Sequence, residues 1–431
     1  MRQKTQTSPD HGGKDQGGKA QGSKAQGSKA HYGWVMVFVG FTLMAMSFGG
    51  LAAVGVFLKP IAAEFGWSRG SIAFGYTTAA LSAALFGIFW GFLADRYPTV
   101  RFTMLAAIGL ASAMLLLSQT TSQWQFYLFY FLFGSLGHGT LQSSLWSNIG
   151  QWFAKNKGLA LGVGLAGGAF GQAVVPLIAR VLISSYGWQD AYMILGIGYL
   201  ILGLAVAALT RDPPAKRARL AAVRTGEHAG NVNAWSLGEG RHTVFWFSMA
   251  VLFCCSCMSV VIVHLVPMLT DRGFNPEVAA TALAALMLSG VIGRLAAGKA
   301  CDLFGVVPTY AFMAFGQTVL VAWFPYVETL WGIYLLAVIF GFVYPGVMAS
   351  AVICVNVQVP AEVSSRCWSI VSFFAWVGMG TGAFMGGYLY DLTGGYTTSF
   401  SFAAIVGTIN LLILLAYRLT GGHRRAVLVE A

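Results

Sequence analysis

Runs of about 20 apolar residues, each long enough as a helix to cross a hydrocarbon layer roughly 30 Å thick, recur along almost the whole chain. Inside such a layer no water bonds the backbone, so each crossing must be a helix that satisfies its own N–H and C=O groups. Twelve such spans are placed near 32–58, 70–94, 102–118, 125–150, 158–184, 190–210, 243–268, 277–301, 306–327, 331–353, 365–389 and 397–418. The composition, 57% hydrophobic and 10% charged, excludes an ordinary soluble domain. Fifty-four glycines suit helices that approach closely in lipid. The expected fold is therefore an all-α polytopic membrane protein, with 12 transmembrane helices in two pseudo-symmetric six-helix bundles.

The basic residues sort by loop. Residues 1–30 carry a lysine-bearing repeat with units beginning at Gly12, Gly17, Gly22 and Gly27, and they read as a disordered basic tail. They lack the apolar centre of a signal peptide. The longest hydrophilic interruption, 211–242, is a linker that separates a bundle at 31–210 from one at 243–418, with a short tail at 419–431. With both termini cytoplasmic, 21 of the 26 lysines and arginines fall inside; only Lys59, Arg69, Arg180 and Arg272 fall outside, and Arg294 lies within a span. The net charge of +11 thus reports topology in a bilayer and not nucleic-acid binding. A monomer in the plasma membrane, a bacterial inner membrane, is expected. The six cysteines lie in or near apolar segments, with no pattern of extracellular disulfides.

The two halves repeat one another. Phe65-Gly66-Trp67-Ser68 and Gly273-Phe274-Asn275 follow the first and seventh spans at an offset of 207. Gly91-x-x-x-Asp95 and Gly298-x-x-x-Asp302 end the second and eighth spans at the same offset. Gly187-Trp188-x-x-Ala191-Tyr192 and Gly395-Tyr396-x-x-Ser399-Phe400 recur at 208. Internal repeats of this kind mark transporters whose bundles rock about a site at the bilayer midplane. Glycines at 164, 167, 168 and 171 mirror those at 378, 382 and 386, giving small-residue faces suited to sliding contacts. No hydrolase motif or nucleotide-binding loop points to an enzyme or a primary pump.

Arg294 is the feature most loaded with chemistry. It lies eight residues before Asp302, about 12 Å along a helix and so near the midplane. A lone guanidinium there costs at least about 3 kcal/mol unless it faces a cavity and meets an anion. The span interiors offer no aspartate or glutamate, so a substrate is the natural source. Arginine matches a carboxylate through two parallel donor bonds. Nearby Gly290, Gly293 and Gly298 thin the helix face and leave room for a ligand. The alternative is a guanidinium that caps backbone carbonyls. His138 and Gln142, four residues apart in span four, share a helix face and can bond a hydroxyl or keto group or each other's helices. His138 can also exchange a proton near neutral pH.

From residue 31 onward the chain resembles the major facilitator superfamily. Gly91-Phe-Leu-Ala-Asp95-Arg96 looks like its signature between spans two and three, an imperfect copy with Pro98 near the place of a later glycine. The resemblance implies a charge latch on the inner gate, formed by Gly91, Asp95 and Arg96 and repeated by Gly298 and Asp302. Trp152-Phe153-Ala-Lys155-Asn-Lys157-Gly158-Leu-Ala160-Leu-Gly162 is similar to a pattern of the monocarboxylate transporter and oxalate–formate antiporter group. Within that group Arg294 occupies the place of the carboxylate-binding arginine, and Tyr344 matches a substrate-facing aromatic of span ten.

Three departures narrow the expected substrate. Trp376 stands where oxalate-type members carry a second cation in span eleven. The lysine of span one and aspartate of span eight in lactate carriers have no counterparts around Ala52 and Ser289-Gly290. Gln142 replaces a frequent tyrosine. One fixed cation matches one carboxylate, so the expected activity is alternating-access transport of a small organic monocarboxylate through Arg294, Tyr344, Gln142, His138 and Trp376; the resemblance implies coupling to protons. No cofactor or metal is expected. Anion exchange remains open, as does efflux of another small molecule or of a thiol-reactive metalloid held by Cys254 and Cys257. A transporter-like sensor is the remaining alternative.

Overall fold

The computed structural model describes residues 15–67, 69–225, 237 and 240–420. The first half comprises α1 (Asp15–Phe65), α2 (Arg69–Ala94), α3 (Thr99–Leu117), α4 (Gln123–Leu132), α5 (Gly139–Trp152), α6 (Lys157–Tyr186) and α7 (Trp188–Ala208). A short helix α8 (Pro214–Thr225) lies in the linker. The second half comprises α9 (Arg241–Asp271), α10 (Pro276–Phe304), α11 (Val306–Trp323), α12 (Leu330–Gln358), α13 (Ser364–Thr393) and α14 (Tyr396–Leu419). Among the described residues, 11 helices are long and apolar enough to cross a membrane. The twelfth crossing, the fourth in sequence, is built from α4, a π-helical turn at Phe133–His138, and α5. There Gly139 N–H bonds the carbonyl of Gly134, five residues back. A Cβ on Gly134 would lie 2.0 Å from the Ala79 carbonyl oxygen, and one on Gly137 would lie 2.5 Å from Leu110 Cδ2. Only a glycine-rich stretch fits between α2 and α3 at that depth.

At the N-terminus the expectation needs correcting. Helix α1 begins at Asp15, inside the segment expected to be disordered. Once a long apolar helix has nucleated, each added residue gains a hydrogen bond without a new nucleation cost, so a polar extension can stay helical. Residues 1–14 lie outside the described residues.

Within the first half α1 packs on α6, and α3 on α7; within the second, α9 packs on α13 and α14, and α10 on α12. Between halves, α2 meets α13 and α10 meets α6. The glycine faces read as sliding surfaces are internal instead. A Cβ on Gly167 or Gly171 would come within 2.1 or 1.9 Å of the Phe41 or Ala45 carbonyl oxygen of α1. Gly378 and Gly382 meet α9 the same way, 2.2 and 2.1 Å from the Leu252 and Ser256 carbonyls. These glycines fix each bundle. The repeat also acquires a structural reason for its change of offset. Gly187 (φ 86°) both ends α6 and starts α7, whereas Gly394 (φ 70°) ends α13 and Gly395 starts α14. One residue is inserted at that turn.

The halves are tied together at the end that carries the linker. Asp302, just before the end of α10, accepts the N–H groups of Gly158 (2.7 Å) and Leu159 (2.8 Å) in the first turn of α6. Asp95, following α2, accepts those of Ser365 (3.1 Å) and Arg366 (3.2 Å) in the first turn of α13. Each donor pair is related to the other by the same offset of 207 as the acids. Carboxylates at helix N-termini are favoured by the orphan N–H groups and the helix dipole. Close approach needs the two glycines: a Cβ on Gly91 would fall 2.0 Å from Ser369 Oγ, and one on Gly298 would fall 2.5 Å from the Gly158 carbonyl oxygen. The partner of Asp95 is Arg366, whose Nε lies 2.8 Å from Oδ2 in a buried ion pair. Arg96, expected in the latch, is exposed. Its side chain follows the end of α2 outward, and Arg366 fills the role from the other half.

Helix α8 rests on this latch. Lys216 Nζ donates to the Ala94 carbonyl (2.9 Å) and Thr99 Oγ1 (2.8 Å) and pairs with Asp212 at 3.4 Å. Burial pulls its ammonium below the usual lysine range, with the Asp212 carboxylate opposing. Arg219 pairs with Glu362 of the second half at 3.6 Å.

Two outcomes follow from this packing. Gly171→Val should overfill the α1–α6 contact and lower stability by about 1–3 kcal/mol, seen as a reduced Tm of the purified protein. Asp302→Asn should weaken one latch by about 1–3 kcal/mol, the value of hydrogen bonds to a charged group. Spin labels on exposed Tyr97 and Phe304 should then show an added longer distance. An unchanged distance distribution would mean that the cap does not hold this end closed.

Candidate functional site

Helix α10 brings Arg294 to a cavity between the halves because its glycines face its neighbours. A Cβ on Gly290 would meet Pro345 Cγ of α12 at 2.7 Å, and one on Gly293 would meet the Phe342 carbonyl oxygen at 1.9 Å. Gly298 meets α6. The expected open space for a ligand is therefore not beside these glycines. They draw α12 against α10, so that Tyr344 and Arg294 line one cavity of about 170 Å³.

Arg294 Nη1 is buried and has no hydrogen-bond partner among the described residues. It is not sealed against carbonyls. Tyr344 stacks on Phe340 (centroids 5.5 Å apart), and its hydroxyl donates to Met287 Sδ at 3.1 Å. A thioether is a weak acceptor, so this hydroxyl is held loosely. Gln142, on α5, lines the cavity from the first half, and its Oε1 accepts Trp146 Nε1–H at 2.7 Å. What it offers a ligand is its amide NH₂. Trp376, on α13, lines the cavity as well.

His138 does not. It is fully buried behind Phe48 and Trp376, whose rings stand edge-on at 4.7 and 5.7 Å, and Nδ1 shares a 2.7 Å hydrogen bond with Ser47. Four residues advance a helix slightly more than one turn, enough to put Gln142 at the cavity and His138 beside α1. Its Nε2 is buried without a partner among the described residues. Phe373 and Phe374 contact each other edge-on at 5.6 Å and are absent from the cavity wall.

Tyr76, Gln172, Trp368 and Ser372 line the cavity and were not foreseen. Trp368 Nε1 is a second buried donor without a partner among the described residues. The signal for two of these is helical period: 368 and 372 precede 376 by two turns and one. Gln172 is a polar residue inside an apolar span, and that alone marks it. The cysteines separate. Cys254 contacts Gln317 (Sγ to Oε1 3.9 Å), while Cys255 alone of the three lines the cavity, 3.5 Å from Met348 Sδ. The paired thiols imagined at Cys254 and Cys257 are thus not presented to it. Among the described residues no group of three or more His, Cys, Asp or Glu is placed to hold a metal ion.

The pattern of the Major Facilitator Superfamily matches residues 37–366 and 245–429. Bovine Monocarboxylate transporter 13 is 28% identical over 375 residues, covering 86% of this chain and 85% of its own length. The fold is similar to FucP, a transporter of the same superfamily in an outward conformation, with a TM-score of 0.68 and 15% identity over 88% of this chain and 98% of that one. It is also similar to the human organic anion transporter MFSD10, with a TM-score of 0.70 and 13% identity over 89% and 99% of the two chains. Twelve crossings in two repeated halves, closed at one end by mirrored carboxylate caps around a central cavity, agree with these matches. The chain belongs to the Major Facilitator Superfamily, in which its resemblance runs to the monocarboxylate transporters, and it is a membrane transporter and not an enzyme.

Proposed function

We propose that this transporter carries a small organic monocarboxylate by alternating access, coupled to protons. One observation carries the reading: Arg294 Nη1 is buried in the wall of the central cavity with no hydrogen-bond partner among the described residues. An incoming carboxylate supplies the missing charge and two acceptor oxygens, with Tyr344 and Gln142 as further donors. The name of the bovine relative points to the same substrate class. The protein lies in a plasma membrane, a bacterial inner membrane, with linker and termini in the cytoplasm, and works as a monomer. On that orientation the carboxylate caps close the cytoplasmic end, and the conformation is the outward-facing one.

The cycle follows from charge. The empty site leaves a guanidinium unpaired in low dielectric; the loaded site does not. A ligand drives the rocking only if it binds the occluded state better than the open ones, and neutralising Arg294 provides that difference. The proton travels with the bound carboxylate, on His138, or on the carboxylates of Asp95 and Asp302.

In proteoliposomes, Arg294→Ala should reduce carboxylate uptake roughly 30-fold or more, since removing one partner of a buried charge pair costs about 2–5 kcal/mol. Arg294→Lys should recover only part of it, because an ammonium lacks the planar fork. Full uptake by the alanine variant at normal expression would remove Arg294 from the site. Apparent affinity should weaken as external pH rises if proton and acid move together; a flat response would indicate uniport or exchange.

A further inference from the structure

The wall of the cavity that holds Arg294 is mostly apolar and soft. Five methionines line it: Met44, Met258, Met287, Met348 and Met379. Trp146, Trp368 and Trp376 add three indole surfaces, and Phe48 a fourth aromatic face. Polar groups are the minority: besides Arg294 they are Tyr76, Gln142, Gln172, Tyr344, Ser372 and the Trp368 indole N–H, and two of them are engaged. Gln142 gives its oxygen to Trp146, and the Tyr344 hydroxyl rests on a sulfur. At about 170 Å³ the space exceeds what a three-carbon acid fills. A cavity of about 150 Å³ in an apolar core is enough to take a benzene.

A small hydroxy or keto acid would leave most of this wall facing water that finds few partners there. From these surroundings we infer that the preferred cargo is a monocarboxylate with a large apolar body, an aryl or branched or six-carbon chain, seated with its carboxylate on Arg294 and its body among the methionines and indoles. This rests on the carboxylate reading above and specifies the substrate class. Methionine is unbranched and polarisable, so such a wall adapts to bodies of different outline. The site should therefore rank acids by buried apolar area more than by shape. The thioethers and Cys255 would also suit a soft monovalent cation. The unneutralised guanidinium in the same cavity opposes that occupant, since a second positive charge would be added where one already lacks a partner.

Ligand-induced thermal stabilisation of the purified full-length protein, titrated with acetate, propionate, butyrate, hexanoate, lactate, phenylacetate and neutral phenylacetamide, tests this. Affinity should rise about fourfold per added methylene, and phenylacetate should bind at least about 10-fold more tightly than acetate. Lactate should bind no more tightly than propionate. Phenylacetamide should bind far more weakly than phenylacetate. Equal affinity for acetate, lactate and phenylacetate, with phenylacetamide inert, would overturn the apolar-body inference while leaving the carboxylate role of Arg294 intact. Phenylacetamide binding as tightly as phenylacetate would do the reverse. No stabilisation by any acid would overturn both.

Discussion

The closed end of this protein depends on one contact made twice. A carboxylate at the end of one helix takes two backbone N–H groups from the first turn of a helix in the opposite half, and the chain repeat makes a second copy. Each contact satisfies donors that would otherwise be orphaned at a helix start. Because the donors are backbone groups, their positions are set by helix geometry and not by side-chain rotamers. The side chains around them can then differ. Arg366 adds a guanidinium to the Asp95 copy, while around the other copy Lys157 donates to the Asn356 carbonyl at 2.7 Å and Lys299 reaches Asn156 at 3.2 Å. The two latches share a geometry but not an energy.

That contact and the cavity belong to one stretch of α10. Gly298 touches α6 at Gly158, and a Cβ on Gly162 would lie 2.7 Å from the carbonyl oxygen of Arg294 itself. The backbone that presents the guanidinium is thus part of the interface between halves. A shift of α10 against α6 moves the charge, and a ligand that fixes the charge biases the shift. No distant pathway is needed to connect binding with rocking, since four residues separate the two.

Much of the architecture was readable because lipid is a strict solvent: it forces apolar runs into helices and sorts cations by side. The offset of 207 between Asp95 and Asp302 identifies equivalent positions from the sequence alone. It did not identify what each acid meets, because the contact joins α2 to α13 and α10 to α6, elements far apart in sequence. Arg366 is hidden for that reason, while Arg96 enters through the signature-like run 91–96, which names the residue beside Asp95 and not the one across from it. The break in the fourth crossing was hidden too, since Gly134, Gly137 and Gly139 read equally well as packing residues. In the cavity, Arg294, Tyr344, Gln142 and Trp376 were legible as polar or aromatic residues in apolar spans. The methionines were not. In a hydrocarbon-facing sequence Met44 or Met348 is one apolar residue among many, and only the fold gathers them.

Tyr344 shows how such a cavity can favour its occupied state. Its ring is fixed by stacking on Phe340, so orientation costs little further entropy on binding. Its hydroxyl proton is engaged by a sulfur, an acceptor poor enough to be given up for a carboxylate oxygen with net gain. Gln142, held by the Trp146 indole, has less freedom to respond. On the proposed carboxylate reading, the residue best placed to follow a ligand is therefore the one whose resting bond is weakest. It stands on α12 directly before Pro345, against which the glycine face of α10 packs. Arg294 and Tyr344 thus face the cavity as a unit set by backbone contact, while Gln142 of the first half faces it from the other side.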